Sequence, residues 1–421
     1  MSVKSTATDF EGKAVPTFKK VKLKEIVADN CLGGNYQCVE DVTPLPVMKM
    51  GNLGRGTITL GKIEYVSDGK VLSDRDVLKK GDILFNTRNT LDLVGKVAMW
   101  RGELEQAVFN SNIMRITFSE NVLNEYMNYY FNSYGALKQL RARATGTTSV
   151  AAIYWRDCQN IKIQLPPLPD QKAIATLLST WDEAIEKTER LIRAKEKRFK
   201  WLLNDLIHQG RINHTWKGYN LSDLCSPVSR KNSENNTNVL TSSAQNGLVS
   251  QLEYYNKSVS AENVTGYYLL KKGEFAYNRS SAKGYPYGAT KRLDRYEKGV
   301  LSTLYLCFAL KPNAPCESDF LLHLFESGAA NRELRAVCQE GARSHGLLNI
   351  TKSDFFGIKL FLPNQDQQKK IQSALNTAQE EIDLLKQLAD KYKTQKRGLM
   401  QKILTGEWRV KPEIVNQYME A

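Results

Sequence analysis

The sequence predicts an α+β fold: two similar mixed domains joined by two long helices that pair as a coiled coil, with an internal pseudo-twofold repeat. Three observations predict it. Motifs that open and close one half of the chain recur 192–198 residues later. Short β-branched and aromatic runs, broken by Gly, Asn, Asp and Ser, alternate with helical stretches. Two segments hold apolar residues at about 3.5-residue spacing, the seam of a coiled coil.

The repeat organises the rest. Thr17-Phe18-Lys19 to Ile26 resembles Thr215-Trp216-Lys217 to Leu224 at offset 198. Leu78-Lys79-Lys80-Gly81-Asp82 returns as Leu270-Lys271-Lys272-Gly273-Glu274 at offset 192. Ile161-Lys162-Ile163 with Leu165-Pro166, then Gln171-Lys172 and Ile174, return at offset 197 as Ile358-Lys359-Leu360 with Leu362-Pro363, then Gln368-Lys369 and Ile371. The predicted segments are therefore 1–165 (first mixed domain), 166–212 (central helix), 213–363 (second mixed domain) and 364–421 (C-terminal helix and tail).

In the first mixed domain, strands are expected within residues 56–66, 82–86, 94–100 and 112–118, and a helix over 123–140. In the second, strands are expected within 266–270, 274–278 and 301–310, and a helix over 318–338. Both long helices follow a Pro-containing linker and end near a glycine, Gly210 or Gly406, as helix boundary rules expect. Stepping by alternating fours and threes from Ile174 gives Leu178, Trp181, Ile185, Thr188, Ile192, Lys195, Phe199, Leu202 and Leu206. Adding 197 gives Ile371, Leu375, Ala378, Ile382, Leu385, Ala389, Tyr392, Lys396, Leu399 and Ile403. Two equal seams in one chain favour pairing with each other, and both a parallel and an antiparallel arrangement are open. The antiparallel pair, which would place the domains at opposite ends, is the expected one.

Charge narrows the function. The 421 residues hold 59 Lys+Arg against 45 Asp+Glu, a formal charge of +14, which suggests a polyanionic partner such as nucleic acid. The excess is divided evenly: net +5 in each mixed domain and +2 in each helical segment. Two equivalent anion-facing surfaces fit that better than one basic tail. No run reaches the ~18 apolar residues of a membrane span, and Met1 to Phe10 lacks the apolar stretch of a signal peptide. Seven scattered cysteines without a Cys-x-x-Cys argue against a disulfide framework or a zinc site and suggest the cytoplasm.

Catalytic patterns are missing. Pro166-Pro167 lacks the Asn or Asp before it and the aromatic after it that an amino-methyltransferase needs to hold a flipped base. Gly51-Asn52-Leu53-Gly54-Arg55-Gly56 is not a dinucleotide turn, and no phosphate-binding Gly-x-x-x-x-Gly-Lys-Ser/Thr occurs. Asp68-Gly69-Lys70 and Asp170-Gln171-Lys172 have the acid-x-Lys form of a nuclease, but the repeat sets Gln367 opposite Asp170. A turn and a helix start explain both triplets.

Polar loops supply the candidate contacts. They are Lys49, Asn52 and Arg55; Thr87, Arg88 and Asn89 after a strand; and Arg141, Arg143, Thr147 and Ser149. In the second half they are Arg279, Ser280, Ser281 and Lys283, with Arg343, Ser344 and His345. Arginine pairs guanine and asparagine pairs adenine in the major groove, while Lys, Ser and Thr mostly hold phosphate. The same Asn and Gly residues also suit turns.

Met48-Lys49-Met50-Gly51-Asn52-Leu53, Lys79 to Phe85, the Leu-Pro-Pro-Leu-Pro-Asp-Gln-Lys stretch at 165–172, Asp182-Glu183-Ala184-Ile185 and residues 399–410 together resemble the specificity subunits of type I restriction-modification systems. The second copy departs from the pattern, reading Pro363-Asn364-Gln365-Asp366-Gln367-Gln368. The resemblance implies a noncatalytic subunit whose two target-recognition domains each read half of a split sequence in double-stranded DNA. It implies helices that separate those domains and bind two modification subunits, with restriction subunits joining through that core. S-adenosylmethionine, ATP and Mg would belong to the partners, and no cofactor to this chain. A self-sufficient nuclease or methyltransferase, or a coiled-coil scaffold without sequence preference, are the competing readings.

If the helices act as a ruler, deleting one heptad from both keeps the seam in phase and shortens it by about 10 Å at ~1.5 Å per residue. The gap between half-sites should then shrink by about three base pairs at roughly 3.4 Å each. Methylation mapping of the folded variant checks this, and an unchanged gap contradicts the ruler.

Overall fold

A computed structural model describes residues 18–42, 45–67, 73–209, 212, 216–243, 247–255, 263–282, 284–340 and 348–419. The chain forms two compact units, residues 1–188 with 388–421, and residues 189–387. Each unit therefore takes one mixed domain and a piece of both long helices, Leu168–Leu203 and Gln365–Ile403.

The two domains are built alike. In the first, Lys19–Lys22 pairs antiparallel with Lys162–Leu165, so the domain closes on itself just before its long helix begins. In the second, Lys217–Asn220 pairs with Lys359–Leu362 in the same way. The central sheet of the first runs Val27–Leu32, Ile113–Phe118, Ile83–Asn86, Val97–Met99. That of the second runs Cys225–Pro227, Leu306–Leu310, Phe275–Asn278, Ala289–Arg292. All neighbours in both sheets are antiparallel.

Several expected elements are shorter than their apolar runs. Of residues 56–66, only Glu64–Val66 is a strand; the earlier part makes isolated bridges at Gly56 and Ile58. Residues 123–140 form two helices, Asn124–Phe131 and Tyr134–Arg141, because Ser133 leaves helical geometry and its hydroxyl caps the second through Ala136 N. Residues 318–338 likewise divide into Ser318–Glu326 and Asn331–Val337. The 301–310 run ends one strand at Leu301, turns, and starts another at Leu306.

Aromatic packing fills both cores. Phe85, Tyr126 and Phe131 are buried in the first. In the second, Phe275 stacks on Phe308 at 5.3 Å and Tyr277 on Phe355 at 4.5 Å. The long helices complete each core from two sides. Ile174 and Leu178 join Ile403 and Leu404 in the first unit, while Leu203 and Ile207 join Leu375 in the second.

Within each unit the two helix pieces run antiparallel. In the first, Trp181 meets Tyr392 edge to face at 5.8 Å, and Lys396 pairs with Asp182. In the second, Lys195 lies 2.6 Å from Glu381 and Lys386 lies 2.7 Å from Glu196. All twenty seam positions predicted from the repeat are at least half-buried. Its two charged members, Lys195 and Lys396, are the ones with a carboxylate on the facing helix. Toward the end of the first long helix the deepest burial moves one residue on, to Leu203 and Ile207, where the chain widens into a π-helical turn over Asn204–Gln209.

One residue ties each long helix to its domain. Gln171 Oε1 accepts from Leu123 N at 2.8 Å, and its Nε2 donates to Asn121 O (3.1 Å) and Pro166 O (2.9 Å). Gln368, 197 positions later, accepts from Glu317 N at 2.8 Å and donates to Pro315 O and Pro363 O, both at 2.9 Å. Both glutamines are buried. The clamped amide starts a short helix in each domain. Six residues on, that helix touches a long helix: Tyr129 Oη donates to Asp182 at 2.7 Å, and His323 Nε2 lies 2.7 Å from Asn376 Oδ1. Asn376 Nδ2 donates to Asp319, so its oxygen is the acceptor for His323.

Gln171→Ala strands a buried N–H and two carbonyls. Each unpaired buried group costs about 1–3 kcal/mol, so a loss of about 3 kcal/mol is expected in urea unfolding, with a comparable loss for Gln368→Ala. A change under about 1 kcal/mol at both positions would refute the clamp.

Candidate nucleic-acid interface

The three polar loops of the first half converge. Asn86 ends a central strand, and its Oδ1 accepts from Arg88 N at 3.1 Å, turning the chain into the short strand Arg88–Asn89. That strand pairs with Ala151–Ala152, which pairs in turn with Thr145–Gly146. A three-stranded ribbon results, with Thr147, Ser149 and Val150 exposed at its tip. Gly146 sits at φ +122, and a Cβ there would lie 2.3 Å from Val150 O, so the tip closes only on glycine. Leu91 N donates to Thr148 O at 3.1 Å, fastening the 90–95 turn to the ribbon.

Basic groups gather on this turn from separate segments. Arg55 Nη2 donates to Asp92 O at 3.1 Å, and Arg141 Nη2 lies 3.7 Å from Asp92 Oδ1. Burial, then the neighbouring Arg141 charge, lowers the pKa of Arg55. Burial, then Arg55, lowers that of Lys96. The cations repel one another, and the carboxylate nearest them, Asp92, has a side chain 90% exposed. Such a cluster holds positive potential open to an anion.

Arg88 stands at the other edge. Its guanidinium lies over the Tyr154 ring at 6.0 Å, and Arg156 lies over the same ring at 5.4 Å. Tyr154 is partly exposed. Two guanidinium groups on one open aromatic ring offer both charge and a stacking face.

Other predicted residues build the loops. Asn52 is buried: its Oδ1 accepts from Lys49 N, and its Nδ2 donates to Thr59 O and Lys62 O. Lys49 is paired with Glu64. Thr87 is buried and donates to Asn112 O at 2.9 Å. Asn89 Oδ1 accepts from Thr90 N, and Arg143 Nη1 folds back onto Gln139 O at 2.8 Å.

The second half repeats the turn with different occupants. Asn278 Oδ1 accepts from Ser280 N at 3.1 Å, as Asn86 does from Arg88 N, so the positional counterpart of Arg88 is Ser280. Arg279 Nε donates to Leu304 O at 2.7 Å and Nη1 to Ile350 O at 3.5 Å, which makes it a loop brace. Ser281 is exposed. Lys283, Arg343, Ser344 and His345 lie outside the described residues. Among the described residues, no cluster of three or more His, Cys, Asp or Glu could hold a metal, and no helix is long and apolar enough to cross a membrane.

Sequence reasoning missed Lys96, Tyr154 and Arg156. Lys96 follows a glycine in an unremarkable turn, and only the fold sets it beside Arg55. Tyr154-Trp155-Arg156 did carry a signal, aromatic and basic residues interleaved directly after the ribbon.

Comparison with known proteins places this architecture. Residues 17–196 match the family described as Type I restriction modification DNA specificity domain. The chain is similar to the specificity subunits of type I restriction-modification systems, with that domain over residues 17–196. A specificity subunit of Methanocaldococcus jannaschii, named for the type I restriction enzyme MjaVIII, is 23% identical over 390 residues, covering 83% of this chain and 85% of its own. The fold of the type I S subunit from M. genitalium matches at TM-score 0.54 and 13% identity, over 92% of this chain and 96% of that one. A chain solved in work on complex assembly and conformational transition of the type I R-M system matches at TM-score 0.51 and 15% identity, over 94% and 98%.

Lys96→Gln removes one of the mutually repelling charges. The melting temperature is expected to hold or rise, while elution from a heparin column moves to lower salt. A lower melting temperature with unchanged elution would make Lys96 a structural residue.

Proposed function

We propose that each mixed domain of this noncatalytic specificity subunit reads one half of a bipartite sequence in double-stranded DNA. Residues 17–165 take one half-site and 213–363 the other. The observation that carries this assignment is the convergence of Arg55, Arg88, Lys96 and Arg141 from separate segments onto one ribbon and turn, with an open aromatic ring among them.

Arg88 on the ribbon, with Tyr154 and Arg156 just beyond its Ala151–Ala152 strand, are the candidates for base edges or stacking, because two guanidiniums and an open ring meet there. The tip of the ribbon, formed by the turn that joins the paired strands Thr145–Gly146 and Ala151–Ala152, is narrow enough for the major groove. Arg55, Lys96 and Arg141 suit phosphates, whose contacts fix register without carrying sequence information. In the second domain, Ser280 and Ser281 stand where the ribbon of the first presents Arg88 and Asn89.

Two modification subunits would dock on the helix pair and the adjoining domain faces, one for each repeat, and restriction subunits would join through that core. S-adenosylmethionine, ATP and Mg belong to those partners in this reading. The setting is the cytoplasm, where host DNA is reached.

Replacing residues 17–165 with the corresponding domain of another family member tests modularity. Genome methylation mapping is expected to show one half of the target changed and the other half and the gap retained. A change in both halves would defeat the assignment of one domain to one half-site.

A further inference from the structure

Lysine is seldom buried, yet Lys291 is only 4% exposed in the central sheet of the second domain. Its Nζ lies 2.5 Å from Glu326 Oε1 and donates to Tyr285 Oη at 2.9 Å. Tyr285 Oη in turn donates to Glu326 Oε2 at 2.6 Å. Burial, then the Glu326 charge, pushes the Tyr285 phenol up, so it stays protonated and remains a donor. The three side chains close a triangle in which each bonds the other two.

The first domain has nothing of this kind at the same places. By sheet register the position of Lys291 is that of Ala98, since Ala98 faces Leu84 and Lys291 faces Ala276 on corresponding strands. The position of Glu326 is that of Asn132, nine residues after the amide clamped by the long-helix glutamine in each domain. There a neutral amide donates to Val97 O at 3.0 Å. A buried ion pair has displaced a small apolar residue and an amide, which costs desolvation and is weak ground for stability alone.

What the pair holds is the loop after Asn278. Tyr285 N donates to Ala282 O at 2.9 Å and Ala282 N to Tyr285 O at 3.2 Å, closing a tip. Gly288 N donates to Tyr285 O at 3.3 Å as the chain returns to the sheet. Ser281, Ala282 and Gly284 at the tip are exposed. The backbone of Tyr285 thus shapes the tip, while its phenol anchors the tip to the buried pair. Glu326 ends the short helix whose His323 contacts the long helix through Asn376.

We infer that Tyr285, anchored by the Lys291–Glu326 pair, is a positioning residue that sets the reading loop of the second domain and so the specificity for its half-site. The inference rests on that loop facing DNA. A charged anchor has directional bonds on both sides of the phenol, so the tip has one seat rather than several.

Tyr285→Phe tests it, because the variant removes the anchor and leaves Lys291 and Glu326 paired. The full chain, co-produced with its modification subunits, is mapped by genome methylation and by binding to a duplex carrying the mapped target. The expected result is an unchanged first half-site, a second half-site degenerate at one or more positions, and affinity about tenfold lower. Hydrogen exchange should rise in residues 279–288 and not in 86–95. An unchanged motif with unchanged affinity overturns the inference. A fall in melting temperature that accompanies equal loss at both half-sites also overturns it, since a merely structural residue would act that way. A wild-type complex without a bipartite motif would instead bring down the DNA reading itself, and the inference with it.

Discussion

Everything in each unit hangs on one buried amide side chain. Gln171 and Gln368 each join three segments: the linker prolines before the long helix, the loop that ends in the first residue before the short helix, and the first turn of the long helix itself. A glutamine suits this place because it offers an acceptor and two donors on one rigid planar group. Glutamate would bring a buried charge and lose both donations. Leucine would fill the space and strand three backbone groups. The direction of the long helix relative to its own domain is therefore fixed at its root, before any of the apolar seam is reached.

With its root fixed, the helix can tolerate an imperfect seam. Lys195 and Lys396 stand at positions the heptad reserves for apolar residues, and each meets a carboxylate of the facing helix piece. A charge at such a position lowers stability while specifying register. Here the carboxylates Glu381 and Asp182 choose one antiparallel alignment among those that the apolar residues alone would allow. Asp182 is doubly used, since it also accepts from Tyr129, whose ring lies under the Lys396 ammonium. Register of the helices and seating of the domain are thereby settled by the same carboxylate.

The parts of this architecture that were legible in the sequence are those that depend on periodicity and repetition. The seam was readable because twenty positions obey one spacing, and the two domains because Gln171 and Gln368 sit in matching surroundings 197 residues apart. The function of the glutamines was not readable: a Gln after a Pro-rich linker looks like any helix start, and only the fold brings Leu123 N to it. Loop residues were the least legible. Asn52 and Thr87 resemble groove-reading side chains in type and setting, yet a turn uses their hydrogen-bonding groups internally. Arg279 was a candidate by residue type, yet it braces its own loop through Leu304 O and Ile350 O. The turn geometry equates Arg88 with Ser280, since hydrogen bonding counts from the asparagine. Lys96 was invisible because its significance is a distance to Arg55, across 41 positions of chain.

The same contrast explains how one scaffold can serve two different readings. The sheet, the short helix and the glutamine clamp repeat closely, so neither half can change them without loosening its own core. The loops repeat in their first turn and in the strand pair beyond it, Thr145–Gly146 with Ala151–Ala152 in the first domain and Gln339–Glu340 with Leu348–Asn349 in the second. The first domain adds cations that repel one another and an aromatic ring beside two guanidiniums. The second domain folds a tip back onto a buried salt bridge. In the first cluster Arg55 is held by its contact to Asp92 O, and Arg141 lies 3.7 Å from the Asp92 carboxylate. In the second domain the buried Lys291 that anchors the tip is paired with Glu326. Divergence between halves is thus confined to how a loop is held, while the framework that presents it stays common to both.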